Sequence, residues 1–322
     1  MGTDSRARAE RILAAAGLPL GGLAGVRPLS GGTYNTVEEL LLADGTRYVL
    51  KVPPAETVPG LRHERALLVS EAEFYRAAAG VGVAAPRVVA FTEGALLMTA
   101  CPGQAWDDSL TDAEQRDLRT ELGRQVARLH TVTGPGFGYP SGALGPLAAD
   151  WRTAFSVLLD AVLDDARRYR PWLPRPVEET ERTLRAALPA LDEVTAACAV
   201  HFDLWPGNIL VDRSAGAARI GGIIDGERMF WGDPVADFVS LALLGDIEKD
   251  SAFLGGYREA GGRVDFDRST RLRLACYRAY LYLIMLTETV PRAADEGRSR
   301  WIRETVGPEL VAALDAITEL SR

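Results

Sequence analysis

The hydrophobic periodicity of this chain changes character once, at Cys101-Pro102-Gly103, and that change restricts the folds open to it. Before it, residues 26–29, 34–42, 48–52, 88–91 and 95–99 are short apolar or alternating runs separated by turn residues, the pattern of strands. Asp44-Gly45 between two of these runs predicts a tight hairpin. Only two helices are predicted here, over 5–16 and 63–79, stopped by Gly17 and Gly80. Beyond Gly103 the period becomes helical. Residues 111–130 place Leu118, Leu122, Val126 and Leu129 on one face, and Thr111-x-x-Glu114 reads as a capping box. Further helices are predicted over 151–170, 176–197, 234–246, 251–261, 268–290 and 297–320, with a Gly/Pro-rich loop over 131–150. The expected fold class is α+β in two unequal lobes. Residues 1–100 form a small lobe with an antiparallel sheet and a leading helix, 101–104 a hinge, and 105–322 a larger, mainly helical lobe.

A chain of 322 residues is long enough for such a pair of lobes. Its net charge of −8 argues against a nucleic-acid partner, which would call for a basic face. Three widely spaced cysteines, Cys101, Cys198 and Cys276, read as reduced thiols. Charges at Asp4, Arg6, Arg8, Glu10 and Arg11 leave no room for a signal-peptide core. No apolar run reaches membrane-spanning length, so the expectation is a cytoplasmic protein with no membrane partner. Nothing in the pattern gives an oligomeric state.

Within the helical part lies one polar stretch, His201-Phe202-Asp203-Leu204-Trp205-Pro206-Gly207-Asn208, followed by Ile223-Ile224-Asp225. Apolar runs on either side place it in a loop between short strands. A carboxylate, an amide five residues on and a second carboxylate are what phosphoryl transfer requires: one base for a hydroxyl and two oxygen ligands for magnesium. Asp203 is therefore the candidate base, and Asn208 and Asp225 the candidate metal ligands. His201 is expected to brace the loop, and Asp233 and Asp237 to cap the helix that follows. Glu227 faces the metal or the neighbourhood of Arg228.

Two rare residue types mark the other half of the site. The chain has two asparagines, Asn35 and Asn208, and two lysines, Lys51 and Lys249, against thirty-four arginines. Asn35 ends the turn Ser30-Gly31-Gly32-Thr33-Tyr34, whose Cβ-free backbone suits phosphate oxygens. Lys51 ends the next strand but one. A lysine there, where nearly every other cation is arginine, points to a compact charge on phosphates. Its partner is expected on the following helix, where Glu71 is preferred on spacing over Glu73 and Glu64.

Taken together, these motifs resemble the aminoglycoside phosphotransferase and choline kinase-like family, small-molecule kinases with a protein-kinase-like fold. His201–Val211 resembles that family's H-G-D-x-x-x-x-N pattern, and Ile223–Phe238 its I-D-x-E…G-D-P-x-x-D pattern. The resemblance implies ATP (GTP being the alternative) bound between the lobes with Mg2+. It implies Ser30, Gly31, Gly32, Asn35, Lys51 and Glu71 on the nucleotide, and Met98 to Ala100 as the connector whose backbone meets the base. Two departures stand out. Phe202 replaces a glycine and is expected to shape the acceptor pocket; Gly226 replaces a common aromatic and is expected to open the floor of the metal site.

The expected acceptor is a small-molecule hydroxyl, an antibiotic first. The alternatives are a metabolic kinase acting on a sugar, amino alcohol or amino acid, and a nucleotide-binding module without catalysis. An aminoglycoside would need free carboxylates, with Asp107, Asp108, Asp160, Asp164 and Asp165 as candidates. Trp151, Tyr169, Trp172, Trp231, Tyr277, Tyr280 and Trp301 are candidate stacking partners. The arginines over 263–278 suit a neutral or anionic acceptor better than a polycation.

Overall fold

The computed structural model describes residues 2–18, 22–29, 35–55, 57–92 and 94–322. Ser30, Gly31 and Gly32 lie outside the described residues. The first hundred residues carry an antiparallel sheet of five strands in the order β1-β2-β3-β5-β4. The strands are β1 Leu23–Pro28, β2 Thr36–Leu42, β3 Arg47–Val52, β4 Val88–Thr92 and β5 Ala95–Thr99. Asp44 sets the β2–β3 turn by accepting the Thr46 N–H at 2.8 Å.

Strand alternation divides the sheet into two faces. Leu40, Leu50 and Leu97 pack with Ala9, Ile12 and Leu13 of the leading helix α1 (Gly2–Ala15) in a core of their own. Full burial of Ile12 and Leu13 is worth about 1.5–3 kcal/mol each, which ties α1 to the outer face. Leu96 and Met98 face the other way, onto helix α2 (Leu67–Gly80) and the main core. Lys51 sits opposite Leu96 in the register and next to Leu50 in the strand, so its side chain is directed at α2. Helix α2 begins at Leu67 rather than at 63. Arg62–Glu64 form a 3₁₀ turn, and Ala66 lies at φ 57°, a left-handed residue that an α-helix cannot run through.

The rest of the chain is helical around a second, larger core. Its main helices are α3 Asp112–Leu129, α4 Trp151–Tyr169, α5 Val177–Ala187, α6 Asp237–Leu241, α7 Ser251–Glu259, α8 Arg268–Thr287 and α9 Glu296–Leu320. Both halves of the Thr111–Glu114 capping box form. Asp150, Asp250, Asp267 and Asp295 start α4, α7, α8 and α9 by accepting an N–H three residues on.

Two expected helices are broken. The 176–197 helix stops at Ala187 and tightens into a 3₁₀ turn over Leu188–Glu193, because Pro189 cannot donate to the carbonyl four residues back. The 234–246 helix shrinks to a 3₁₀ turn, Pro234–Ala236, and the five-residue α6; Leu244 lies at φ 60° and gives its N–H to the Tyr282 hydroxyl.

Small ladders frame the polar loop. Strand β7 (Cys198–Val200) pairs with β10 (Phe230–Gly232), and β6 (Gln104–Ala105), β8 (Ile209–Asp212) and β9 (Arg219–Ile223) form a sheet in the order β6-β8-β9. At two and three residues, β6 and β10 are too short for periodicity to reveal. The connector crosses directly over β8. At Gly103, φ +99°, an added Cβ would lie 2.3 Å from the Val211 carbonyl oxygen, so only glycine permits the passage.

Candidate active site

The polar loop leaves β7 at His201 and is held from beneath by α6. Asp237 accepts the backbone N–H of His201 at 3.2 Å and of Phe202 at 2.7 Å, and it also meets His130 Nε2 at 2.9 Å. Ser240 Oγ accepts the Leu204 N–H at 2.9 Å. Asp237 was expected as a helix cap; its carboxylate instead anchors the loop, because the chain turns back over it and presents two free N–H groups.

Phe202 stands at φ 62°, which explains why glycine suits this position. The left-handed backbone costs about 1–2 kcal/mol. Full burial of the ring against Phe230 and Tyr280 returns about 2–3 kcal/mol, enough to offset it. The ring is thus core, and the expectation that it shapes an acceptor pocket is corrected.

Both nitrogens of His201 serve the loop. Nδ1 accepts the Asp203 N–H at 3.1 Å, so Nε2 carries the proton and donates to the Ile224 carbonyl at 2.9 Å. Asn208 turns its Nδ2 to Asp203, donating to the backbone oxygen at 2.8 Å and to Oδ2 at 3.0 Å. Its own carbonyl accepts the Ile224 N–H at 2.9 Å. Asp203 and Asn208 are thereby stitched to the residue before Asp225.

On the sheet side, Lys51 Nζ lies 2.7 Å from Glu71 Oε1 and 2.5 Å from Asp225 Oδ1. Of the two other glutamates considered, Glu73 pairs with Arg76 on the surface and Glu64 with Arg292. The Tyr75 hydroxyl donates to Glu71 Oε1 at 2.6 Å and accepts the Asp225 N–H at 3.1 Å, so α2 holds the turn after β9. Asp225 itself stands at φ 64°, opening a 3₁₀ turn, Gly226–Arg228, that brings Glu227 round to Asn35 Nδ2 at 2.7 Å.

No open floor remains at Gly226. A Cβ there would lie 2.3 Å from the Phe74 ring, which also packs edge-on against His201 at 4.7 Å. The aromatic expected at the turn comes from α2 instead, and the idea of a more open metal site is corrected.

Burial opposes the charge on Lys51, but Glu71, Asp225 and Glu227 outweigh it and raise its pKa. Burial likewise works against ionised Asp225, and the Lys51 ammonium overcomes it, holding the carboxyl below its ordinary value. Glu227, desolvated and facing Asp225, is pushed up to about 8. Glu71 is raised by burial despite Lys51.

The oxygens suit a hard cation. Glu71, Asp225 and Glu227 bring carboxylate oxygens within 4.8 Å of one another. Among the described residues, buried Glu71 Oε2 and Asn35 Oδ1 have no hydrogen-bond partner. Asn208, with its Nδ2 committed, has Oδ1 left as an acceptor. Of the two settings the sequence offers Glu227, the structure places it in the carboxylate cluster with Asp225. Tyr75, one helical turn after Glu71, was not anticipated.

At the connector, Met98 is paired on both sides within the sheet. Ala100 gives its N–H to the Arg47 carbonyl at 3.1 Å, which leaves its carbonyl for a ligand.

A family model described as the phosphotransferase enzyme family matches residues 25–274. The chain belongs to that family. Its members are small-molecule kinases, and this phosphotransferase carries the family's mixed fold, an antiparallel sheet followed by a helical region. A Thermobifida fusca YX-ER1 protein assigned as a fructosamine-3-kinase superposes with TM-score 0.70 at 20% identity, over 96% of this chain and 99% of that one. A choline/ethanolamine kinase family protein from Mesorhizobium loti gives 0.58 at 22%, over 97% and 99%. A thermostable mutant of aminoglycoside phosphotransferase APH(4)-Ia, solved with AMP-PNP and hygromycin B, gives 0.64 at 17%, over 95% and 98%. These likenesses establish the fold. None of the curated proteins compared with the chain matches it. Among the described residues, no helix is long and apolar enough to cross a membrane.

Proposed function

We propose that this phosphotransferase moves the γ-phosphate of ATP to a hydroxyl of a small molecule, with Asp203 as base. The observation that carries the reading is the convergence of Asp203 and Asn208, Asp225, and Lys51 on one site from three separate stretches of chain. The AMP-PNP in APH(4)-Ia supports a nucleotide donor by analogy of fold. The nucleotide is assigned to the cleft bordered by residues 1–100, with 101–104 as hinge and the Ala100 carbonyl toward the base.

Asn208 Nδ2 holds Asp203 Oδ2, which leaves Oδ1 to accept the hydrogen bond of the acceptor hydroxyl and align it. As the acceptor oxygen bonds to the γ-phosphorus and the bond to the nucleoside diphosphate oxygen breaks, the hydroxyl proton passes to Asp203. Lys51, kept charged by its carboxylates, is placed to exchange Asp225 for the nucleotide's phosphates. Asn208, Asp225 and Glu227 would hold Mg2+, which supplies charge neutralisation on the phosphate oxygens when bound.

The test separates the two carboxylates. Asp203→Ala is expected to lower phosphoryl transfer by roughly 10²–10⁴-fold with AMP-PNP affinity unchanged. Asp225→Ala is expected to abolish the magnesium dependence of AMP-PNP binding. Wild-type transfer in the first variant, or wild-type metal dependence in the second, would overturn these roles.

A further inference from the structure

The acceptor's chemical class can be read from the charges and surfaces beside Asp203; the inference rests on the phosphotransferase reading above. Along the loop the side chains alternate. Phe202 and Leu204 are fully buried, whereas Asp203 is only part-buried and Trp205 is 43% exposed. The outward pair is therefore a carboxylate and an indole two residues apart. The indole is also fixed in place, because it lies flat across Gly207, where an added Cβ would sit 2.1 Å from the ring. A large, rigid apolar face left in solvent beside the base is a ready platform for a flat ring.

The carboxylates of the helical region, around Arg228 and on α4, carry the second argument. Buried Arg228, its charge favoured by Glu288 and then by Asp203, bonds Glu288 at 2.9 Å. Arg292 joins Glu288 at 3.2 Å and bonds Glu64. On α4, Asp160 is paired with Arg185 at 2.6 Å and Asp164 with Arg62 at 2.5 Å, while Asp165 accepts the Arg62 N–H at 2.8 Å. Each of these carboxylates already has an arginine partner. A polycation using these groups would have to displace an arginine from each, at high cost at buried Glu64 and Glu288 and at little cost at the exposed α4 pairs.

We propose that the acceptor is an uncharged, hydroxyl-rich ring compound, a sugar or other cyclic polyol, lying on the Trp205 indole with one hydroxyl at Asp203. Its hydroxyls need no free carboxylate, and its flat C–H face matches the indole.

Calorimetry on the full chain saturated with Mg2+ and AMP-PNP tests this. The probes are D-glucose, D-ribose and maltose on one side and kanamycin on the other. At least one sugar is expected to bind, and more tightly than kanamycin. Trp205→Ala is expected to weaken that binding tenfold or more and Trp205→Phe less than threefold, while AMP-PNP affinity stays within twofold in both, which shows the fold intact. Binding of kanamycin tighter than every sugar, no binding by any sugar, or sugar binding that survives Trp205→Ala would overturn the inference. Failure of AMP-PNP itself to bind would instead overturn the phosphotransferase reading, and this inference with it.

Discussion

Lys51 and Asp203 stand at two poles of one site, yet different physics holds each. Lys51 is held by side chains borrowed from other elements, Glu71 on α2 and Asp225 after β9, with the Tyr75 hydroxyl bridging the two. Asp203 is held by its own loop, whose backbone N–H groups are given to buried Asp237 and Ser240 on α6. Ion pairs between side chains can exchange partners when a phosphate or a cation arrives. Backbone N–H groups bonded to a buried carboxylate cannot be released without leaving donors unsatisfied. Under the proposed function, the pole assigned to the nucleotide is thus built to rearrange, and the one assigned to the acceptor to stay still.

The sharpest way to break this contrast is Asp237→Ala. It strands two backbone donors and His130 in the core, so a loss of about 3–5 kcal/mol in urea unfolding is expected, together with a fall in turnover. A loss below about 1 kcal/mol would show that the loop holds itself.

The seam between the poles offers a pH test. His63, in the turn before α2, stacks on Tyr139 at 5.9 Å. Burial lowers its pKa from 6.5 to about 4; Glu64 opposes this, and Arg228 and Arg292 add to it. The neutral ring is therefore favoured in the folded state. Its contribution is present above pH 6.5 and lost as pH falls through 4, on the order of 3 kcal/mol in all. Unfolding free energies measured between pH 6.5 and 4 should fall more steeply in the wild type than in His63→Gln. Equal slopes would place that titration elsewhere.

The smallest expected effect belongs to Tyr75→Phe. The ring keeps its packing and only the bridge between Glu71 and the Asp225 N–H is lost. Binding of AMP-PNP with Mg2+ should weaken roughly fivefold, about 1 kcal/mol, with little change in urea stability. A stability loss matching that of Asp237→Ala would erase the distinction between a pole that exchanges partners and one that does not.

Much of this architecture was legible in the residue order, where the controlling interactions are local. The Asp44-Gly45 hairpin, the Thr111–Glu114 box and the switch from period two to helical period each depend on residues within a few positions of one another. The polar loop was legible because five residues of spacing suffice to place Asn208 against Asp203. Pro189 is equally visible, yet the helical periodicity on both sides of it predicts one helix over 176–197, where the missing N–H ends the α-helix at Ala187.

Other outcomes depended on which faces meet. Glu71 and Glu73 are two residues apart on one helix, and the packing of α2 on the sheet alone turns the first to Lys51, while the second stays on the surface in a local pair with Arg76. The same docking brings Phe74 into the space that a side chain at Gly226 would fill. The left-handed backbone of Phe202, which turns its ring into the core, has no signature in a phenylalanine at that position.

By itself, then, the sequence determined the identity and spacing of the candidate site groups and the type of most elements, because those rest on short-range sterics and hydrogen bonding. The tertiary structure alone decided which carboxylate meets Lys51, what anchors the Asp203 loop and which acidic groups are already neutralised by arginine. Those are contacts between residues distant along the chain, and they exist only once the helices and the sheet have packed.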